Sequence, residues 1–496
     1  MASLQPIDPS APLGRKNAVH LLRRTTFGPS RTDIDSFSNL SITQALNILF
    51  TEMPPAEPPL DLQTGASWVN PKPTSANSEE GDLMNMTFAW WLELMRTANN
   101  SIIDRMAWFF HSHFATISSR PNSGTAIYYQ IKLFRYYAMG NFKELSLKIC
   151  YDNAMLVNLD GRLNDIGRPN ENFAREFFEL HTIGKGQPAG PNDYTTYTEA
   201  DIIESSKVLS GYNVDWDFGN IDPDTGVAMG IIRGSGNVAS NHDASVKTFS
   251  PRFQNTVIQP NALVGDKATK EAALDELNQL VTMIFNQEPT ARHICRKLYR
   301  FFVYYNITEE IEQDIIGPLA QTFIQADYEL RPVLEQLFRS THFYDNDNGM
   351  VTDDNRGAII KSPMEIVLGA LRFFKISMPD QQSDLAGFYA AWFNIIFEKF
   401  KNQGLDFYEP YDVSGYDGYY QEPAYNRNWI TPNNLARRYQ ISSDLLIGYK
   451  DENDNLLHRL DILWYCQSEG IDLNSPQNIV TYFVTNLFPE AITTER

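Results

Sequence analysis

The densest chemical segment of the chain is Pro169-Asn-Glu-Asn-Phe-Ala-Arg-Glu-Phe-Phe-Glu-Leu-His-Thr-Ile-Gly184. On a helix, Glu171, Arg175 and Glu179 recur at i, i+4 and i+8 and so share one face, with Glu176 and His181 beside it. A carboxylate–guanidinium–carboxylate ladder can do acid/base or metal chemistry when partial burial displaces its pKa values. The same spacing also builds an i,i+4 ion-pair lattice that only supports the helix. Both readings stand at this point.

A second candidate is Phe109-Phe-His-Ser-His-Phe114. His111 and His113 point about 200° apart on a straight helix, so they share a metal only if the helix ends or bends there. The following Ala115-Thr-Ile-Ser-Ser119 is poor in helix formers, which is consistent with an end. Imidazole suits zinc, iron, copper or nickel. The plainer alternative is one core histidine bonded to backbone and one at the helix end. A third segment, Ser240-Asn-His-Asp-Ala-Ser-Val-Lys-Thr248, sets His242 and Asp243 near Lys247, either completing a site from a loop or forming a surface turn. Between Gly404 and Trp429 the aromatics crowd: Phe407, Tyr408, Tyr411, Tyr416, Tyr419, Tyr420, Tyr425 and Trp429. Such rings either stack on sugars or pack the loop against the body. His20 with Arg23 and Arg24 reads as structural or anion-pairing. No Walker loop, GxSxG elbow, HExxH or dinucleotide fingerprint is found.

Helices must position most of these residues. Apolar periodicity predicts them at about 15–27, from 30, and at 82–98, followed by one opened by a Ser101/Asp104 capping pair with Ile103, Met106, Ala107, Phe110 and Phe114 on one stripe. Others are predicted at 121–138, 140–150, 170–183 and 198–210, the last capped by Thr198 and Asp201. From 212 to 265 Gly, Asn and Asp punctuate short β-like runs, with a turn at Asp222-Pro-Asp-Thr-Gly226. Helices resume at 267–286, 290–305, 307–327, 329–340, 361–375, 382–402 and 433–446, and Ser475-Pro476 opens a final one. The expected fold is mainly α, with a multi-helix body and a small β-containing insertion around 212–265. This divides the chain into a helical region 1–211, the insertion, and a helical region 266–496, the two helical parts packed as one large domain.

Composition bounds what such a body meets. The chain has 496 residues, 43% hydrophobic and 21% charged, which is an ordinary globular profile. A formal net charge of −20 argues against general binding to nucleic acid or anionic membrane, though not against a local basic pocket. Cys150, Cys295 and Cys466 form no CxxC or Cys/His ladder. No run is apolar enough to span a bilayer. Pro6, Pro9 and Pro12 interrupt the first residues without an apolar core, so no secretory signal is expected in this chain and a cytoplasmic place is expected for it as given.

The order of these segments resembles the bacterial family catalogued as domain of unknown function 1800. His20-Leu-Leu-Arg-Arg-Thr-Thr-Phe-Gly-Pro29 is similar to the family's opening helix, and 110–114 to its Trp-His-Asn-His-Phe pattern, with Phe110 in place of the tryptophan. Asn153-Ala-Met-Leu-Val-Asn-Leu-Asp160 followed by Arg168-Pro-Asn-Glu-Asn-Phe-Ala-Arg-Glu176 looks like its most specific signature. The likeness continues through Tyr197–Asp201, Leu209–Tyr212, His242-Asp243 with Lys247, Lys361–Glu365 and Gly415–Trp429. The resemblance implies that His111, His113, Glu171, Arg175, Glu176, Glu179, His242 and Asp243 form one recurring constellation. Many members are exported and many stand beside a second, sulfatase-like family, so it also implies a sulfatase-like partner.

The leading expectation is a hydrolase or lyase acting on a polar polymer such as a polysaccharide. His111, His113, His242 and Asp243 would hold a divalent transition metal, which acidifies a bound water. Glu171, Arg175, Glu176 and Glu179 would be catalytic, and Lys247, Tyr416 and Trp429 would hold substrate. The alternative is a non-catalytic glycan-binding or partner-binding protein whose polar residues form a structural network.

Overall fold

A computed structural model describes residues 2–69, 76–347 and 356–488. The chain is 52% helical, and among the described residues its strands pair only into small two-strand sheets, so the fold is mainly α with small β elements. The helix Ile103–Phe114 lies inside this body: of its residues only Ser112 is not fully buried. A helix buried on nearly every side lies in the middle of a core, and its polar residues Asp104, Arg105, His111 and His113 must find partners there. Helices Glu80–Thr97 and Gly124–Tyr136 pack against it. One contiguous apolar cluster runs from Ala2 to Leu460 through all of these elements.

The start of the central helix differs from the sequence expectation. No capping box forms at Ser101 and Asp104, because the Asp104 carboxylate is drawn inward to accept from Trp91 Nε1 at 3.0 Å and to pair with Arg135. The Thr198/Asp201 box does form, as does the Ser475 cap on Pro476–Leu487. The central helix ends just past the histidines, where Ala115 turns left-handed (φ 50°). A non-glycine residue pays a steric cost in that conformation, so the stop is held by its surroundings.

Three expected helices, 170–183, 307–327 and 382–402, each wind into a π turn, at Phe177–His181, Glu312–Ile316 and Ile395–Phe400. A π turn inserts one residue and leaves carbonyls displaced from the regular ladder, a feature that often marks functional sites. The insertion is built as expected from short antiparallel pairs, 212–213 with 231–232, 247–248 with 257–258, and 263–264 with 267–268. At its turn the Asp222 carboxylate accepts from the Thr225 amide (3.1 Å) and hydroxyl (2.6 Å). Short helices at Ile42–Leu49, Asn153–Asn158 and Ile462–Ser468 carry too few turns for periodicity to reveal them.

Gly28 (φ +113°) lies between helices Gly14–Thr25 and Arg31–Ser38, and a Cβ built there would stand 2.6 Å from Gly369 Cα. The two backbones therefore touch, and this contact locks Pro363–Phe373 against the start of the chain. The three cysteines are buried and unpaired, and no described helix is long and apolar enough to cross a membrane.

Candidate functional site

The two histidines of the central helix part company. His111 stacks on Tyr408 (ring centroids 3.8 Å) and its Nε2 lies 3.1 Å from the Tyr416 hydroxyl. His113 Nε2 donates to the His181 carbonyl oxygen at 2.9 Å on the other side. Burial pushes His111 down to about 3, and His113 likewise falls well below the usual histidine range. Both rings are therefore neutral, and each keeps an Nδ1 with no protein partner. His242 and Asp243 are elsewhere, and among the described residues no three His, Cys, Asp or Glu side chains are arranged to hold a metal. The expected ligands are thus not brought together.

His242 belongs to a sealed ion network. Its Nδ1 is 2.9 Å from the Ser210 carbonyl oxygen, and its Nε2 is 2.5 Å from Glu276 on helix Lys270–Phe285. Lys247 donates to both Glu276 oxygens at 2.9 Å. All three side chains are inaccessible to solvent, so their mutual pairing ties the insertion to the body. Asp243 stays half-buried and accepts from the Ser245 amide at 2.8 Å.

The carboxylate ladder is also internally paired. Arg175 donates to both oxygens of Glu199 (2.8 and 2.7 Å) and reaches Glu171 at 3.4 Å and Glu179 at 3.9 Å. Glu179 additionally takes Lys185 at 3.1 Å and the Tyr197 hydroxyl. Glu176 is half-buried, and burial with the neighbouring Glu179 raises its pKa. In the aromatic loop Phe407 and Tyr416 stack on Trp108, and Tyr416 and Trp429 are almost fully buried. These rings fasten the loop onto the central helix. Their outer edges, with Asp406, Glu409 and Asp417, line an open acidic cleft.

A cavity of about 270 Å³ lies where the central helix, helix Glu288–Phe302, the aromatic loop and residues 359–365 meet. Its floor is the end of the π turn. The displaced Leu180 carbonyl accepts from Lys297 Nζ (3.0 Å) and from His293 Nε2 (3.2 Å). These donors satisfy the negative end of a helix. Burial together with the Arg300 charge lowers the pKa of Lys297 to about 7, with no carboxylate among the described residues acting to raise it. Arg105 pairs with Glu365 at 2.7 Å and sits over the Phe301 ring. Phe109, Tyr305, Tyr419 and Tyr425 supply apolar walls.

Similarity to known proteins agrees with the order of the segments. The model of the protein family described as "Protein of unknown function (DUF1800)" matches residues 20–496. The chain belongs to the DUF1800 family. No curated protein and no solved structure matches it. The cavity of this DUF1800 chain uses residues that the motif reading passed over. His293, Lys297 and Arg300 stand at i, i+4 and i+7 on one helix, and Arg105, Phe109 and Ser112 repeat that spacing on another. A polar stripe at i, i+4 and i+7 marks the first of these in the sequence, whereas Phe109 interrupts the second. Lys361–Glu365 was legible as a segment but not as a wall.

Proposed function

We propose that the chain is an acid–base enzyme of the lyase type, acting on a polar saccharide in the cavity around Lys297. One observation carries this reading: Lys297, an amine with a pKa near 7, lines a cavity with aromatic walls. A base poised close to neutral pH combines availability with driving force. In an elimination, Lys297 Nζ takes the proton from a carbon of the substrate, the C–H pair becomes the double bond, and the adjacent C–O bond breaks. The departing oxygen takes a proton from the Tyr419 hydroxyl, whose oxygen accepts from Trp108 Nε1 at 3.0 Å. Solvent then returns the proton from Lys297 to Tyr419. Flat ring faces with polar tips suit a sugar.

Elimination is favoured over hydrolysis by the carboxylates. Glycoside hydrolysis uses two free carboxyl groups on opposite sides of the bond. Glu365 is held by Arg105 and by the Ser362 amide, and Glu422 is exposed at the mouth. The test is a panel of acidic and neutral polysaccharides, followed by ultraviolet absorbance of the unsaturated product. Lys297→Met should lower turnover by about 10²-fold or more in protein that remains folded. A Lys297→Met variant that turns over a substrate at the wild-type rate contradicts the reading.

A second reading, a glycan-binding or assembly protein without turnover, is favoured by the internal pairing of Arg175 with Glu199 and of Lys247 with Glu276. Under it, the same panel gives binding without product.

A further inference from the structure

Arg300 follows Lys297 by three residues on helix Glu288–Phe302, so the two side chains leave the helix on one face, and both line the cavity. The guanidinium is fixed on two sides. Its Nε donates to the Tyr305 carbonyl oxygen at 3.3 Å, and its central carbon lies over the Tyr425 ring, 5.2 Å from the ring centre. The Nη edge meets Glu422, but only at 3.8 Å, which is too long for a hydrogen bond. That carboxylate is 74% exposed and already accepts from the Tyr425 hydroxyl at 2.6 Å. A pair of this length, with one member in water, contributes little. The other carboxylate on the wall, Glu365, is held by Arg105 and by the Ser362 amide. The Nη edge of Arg300 is thus a preset fork with room for a closer carboxylate, in a chain whose net charge is −20.

Elimination makes its own demand on the substrate. A base poised near neutrality does not detach a proton from an ordinary sugar carbon, because the electron pair left behind has nowhere to go. Beside a carboxyl group the pair moves into the carboxylate as an enediolate, and a cation at those oxygens stabilises the added charge. The pair then returns to form the ring double bond as the C–O bond on the next carbon breaks, and the leaving oxygen takes the Tyr419 proton. Arg300 stands close enough for its charge to act on the Lys297 amine, so it also acts where that pair develops.

We infer that the substrate is a uronic-acid saccharide, its carboxylate held on the Nη edge of Arg300 and the adjacent C–H presented to Lys297. The C–H assignment rests on the lyase reading; recognition of the carboxylate rests on the contacts around Arg300.

The test is calorimetric titration of the full chain with trimers of galacturonate, glucuronate and mannuronate, each beside its methyl ester. Ultraviolet absorbance is recorded on the same mixtures. The ester keeps the sugar and removes the charge. At least one free acid should bind about tenfold or more tighter than its ester, the effect of one charge-assisted fork. Arg300→Gln should abolish that preference and leave affinity for the ester unchanged. Arg300→Lys should retain part of it, as a charge without the fork. The Arg300 side chain is 28% exposed, so neither variant opens a hole in the core, and melting curves check that both are folded. Equal affinity for acid and ester overturns the proposal, as does the absence of binding of any free acid by folded wild type. A preference that survives Arg300→Gln, or a variant that weakens acid and ester alike, also overturns it. Turnover of a neutral saccharide with no uronide bound removes the carboxylate site and leaves the lyase reading. An Arg300-dependent preference for the acid without unsaturated product does the reverse.

Discussion

Lys297 sits at the point where charge, burial and backbone geometry meet. Its single carbonyl partner leaves the amine a nucleophilic lone pair at neutral pH, and Arg300 beside it opposes protonation. Activity should therefore rise with pH through about 7 and then level, as the amine loses its proton. A pH–rate profile without an inflection there would assign the base elsewhere. The histidines make the opposite case. His111 and His113 are neutral core rings on diverging paths, so elemental analysis should find the same metal content in wild type and in His111→Ala/His113→Ala. Stoichiometric metal lost only in the variant would restore the metal-site expectation. Tyr416→Phe should cost about 1 kcal/mol in urea unfolding, the net worth of one buried hydrogen bond to His111.

At the scale of elements, the insertion is anchored by one carboxylate. Glu276→Gln leaves Lys247 charged and buried without its counter-ion, and should cost about 3–5 kcal/mol of stability, measured by denaturant unfolding. A loss under 1 kcal/mol would mean that solvent reaches the network. The helices themselves were largely legible, since long apolar periods and capping residues such as Thr198 with Asp201 act locally. The π turn at Phe177–His181 was not, because its apolar residues fit a plain helix equally well, and the extra residue is stabilised by distant donors on Lys297, His293 and His113. Asp104 failed as a cap for the same kind of reason: Trp91 and Arg135 outbid the helix end. The polar segments at 171–179 and 242–247 were visible as clusters, but whether such charges pair internally or face a ligand depends on partners such as Glu199 and Glu276, far away in sequence.

For the whole molecule, buried neutral histidines set the response to acid. His111, His181 and His293 are lowered to about 3 and His458 to about 4, all chiefly by burial, against an ordinary 6.5. His20 and His113 fall in the same direction. The unfolded chain binds these protons below pH 6.5 and the folded chain refuses them, so their contribution to stability is full above that value and is lost as pH falls toward 3. The melting temperature should accordingly drop between pH 6.5 and about 3, with net proton uptake on unfolding. A flat profile across that window would mean that the rings are protonated in the fold.

The reaction site stands or falls with the state of one amine. Pulse labelling of the native chain with an amine-selective acylating reagent across pH, read by peptide mass spectrometry, measures it without a substrate. Half-maximal labelling of Lys297 near pH 7, while exposed lysines lag by several pH units, is the predicted result. Labelling of Lys297 that follows the ordinary lysine value of 10.5 would contradict it and remove the base from the proposed elimination.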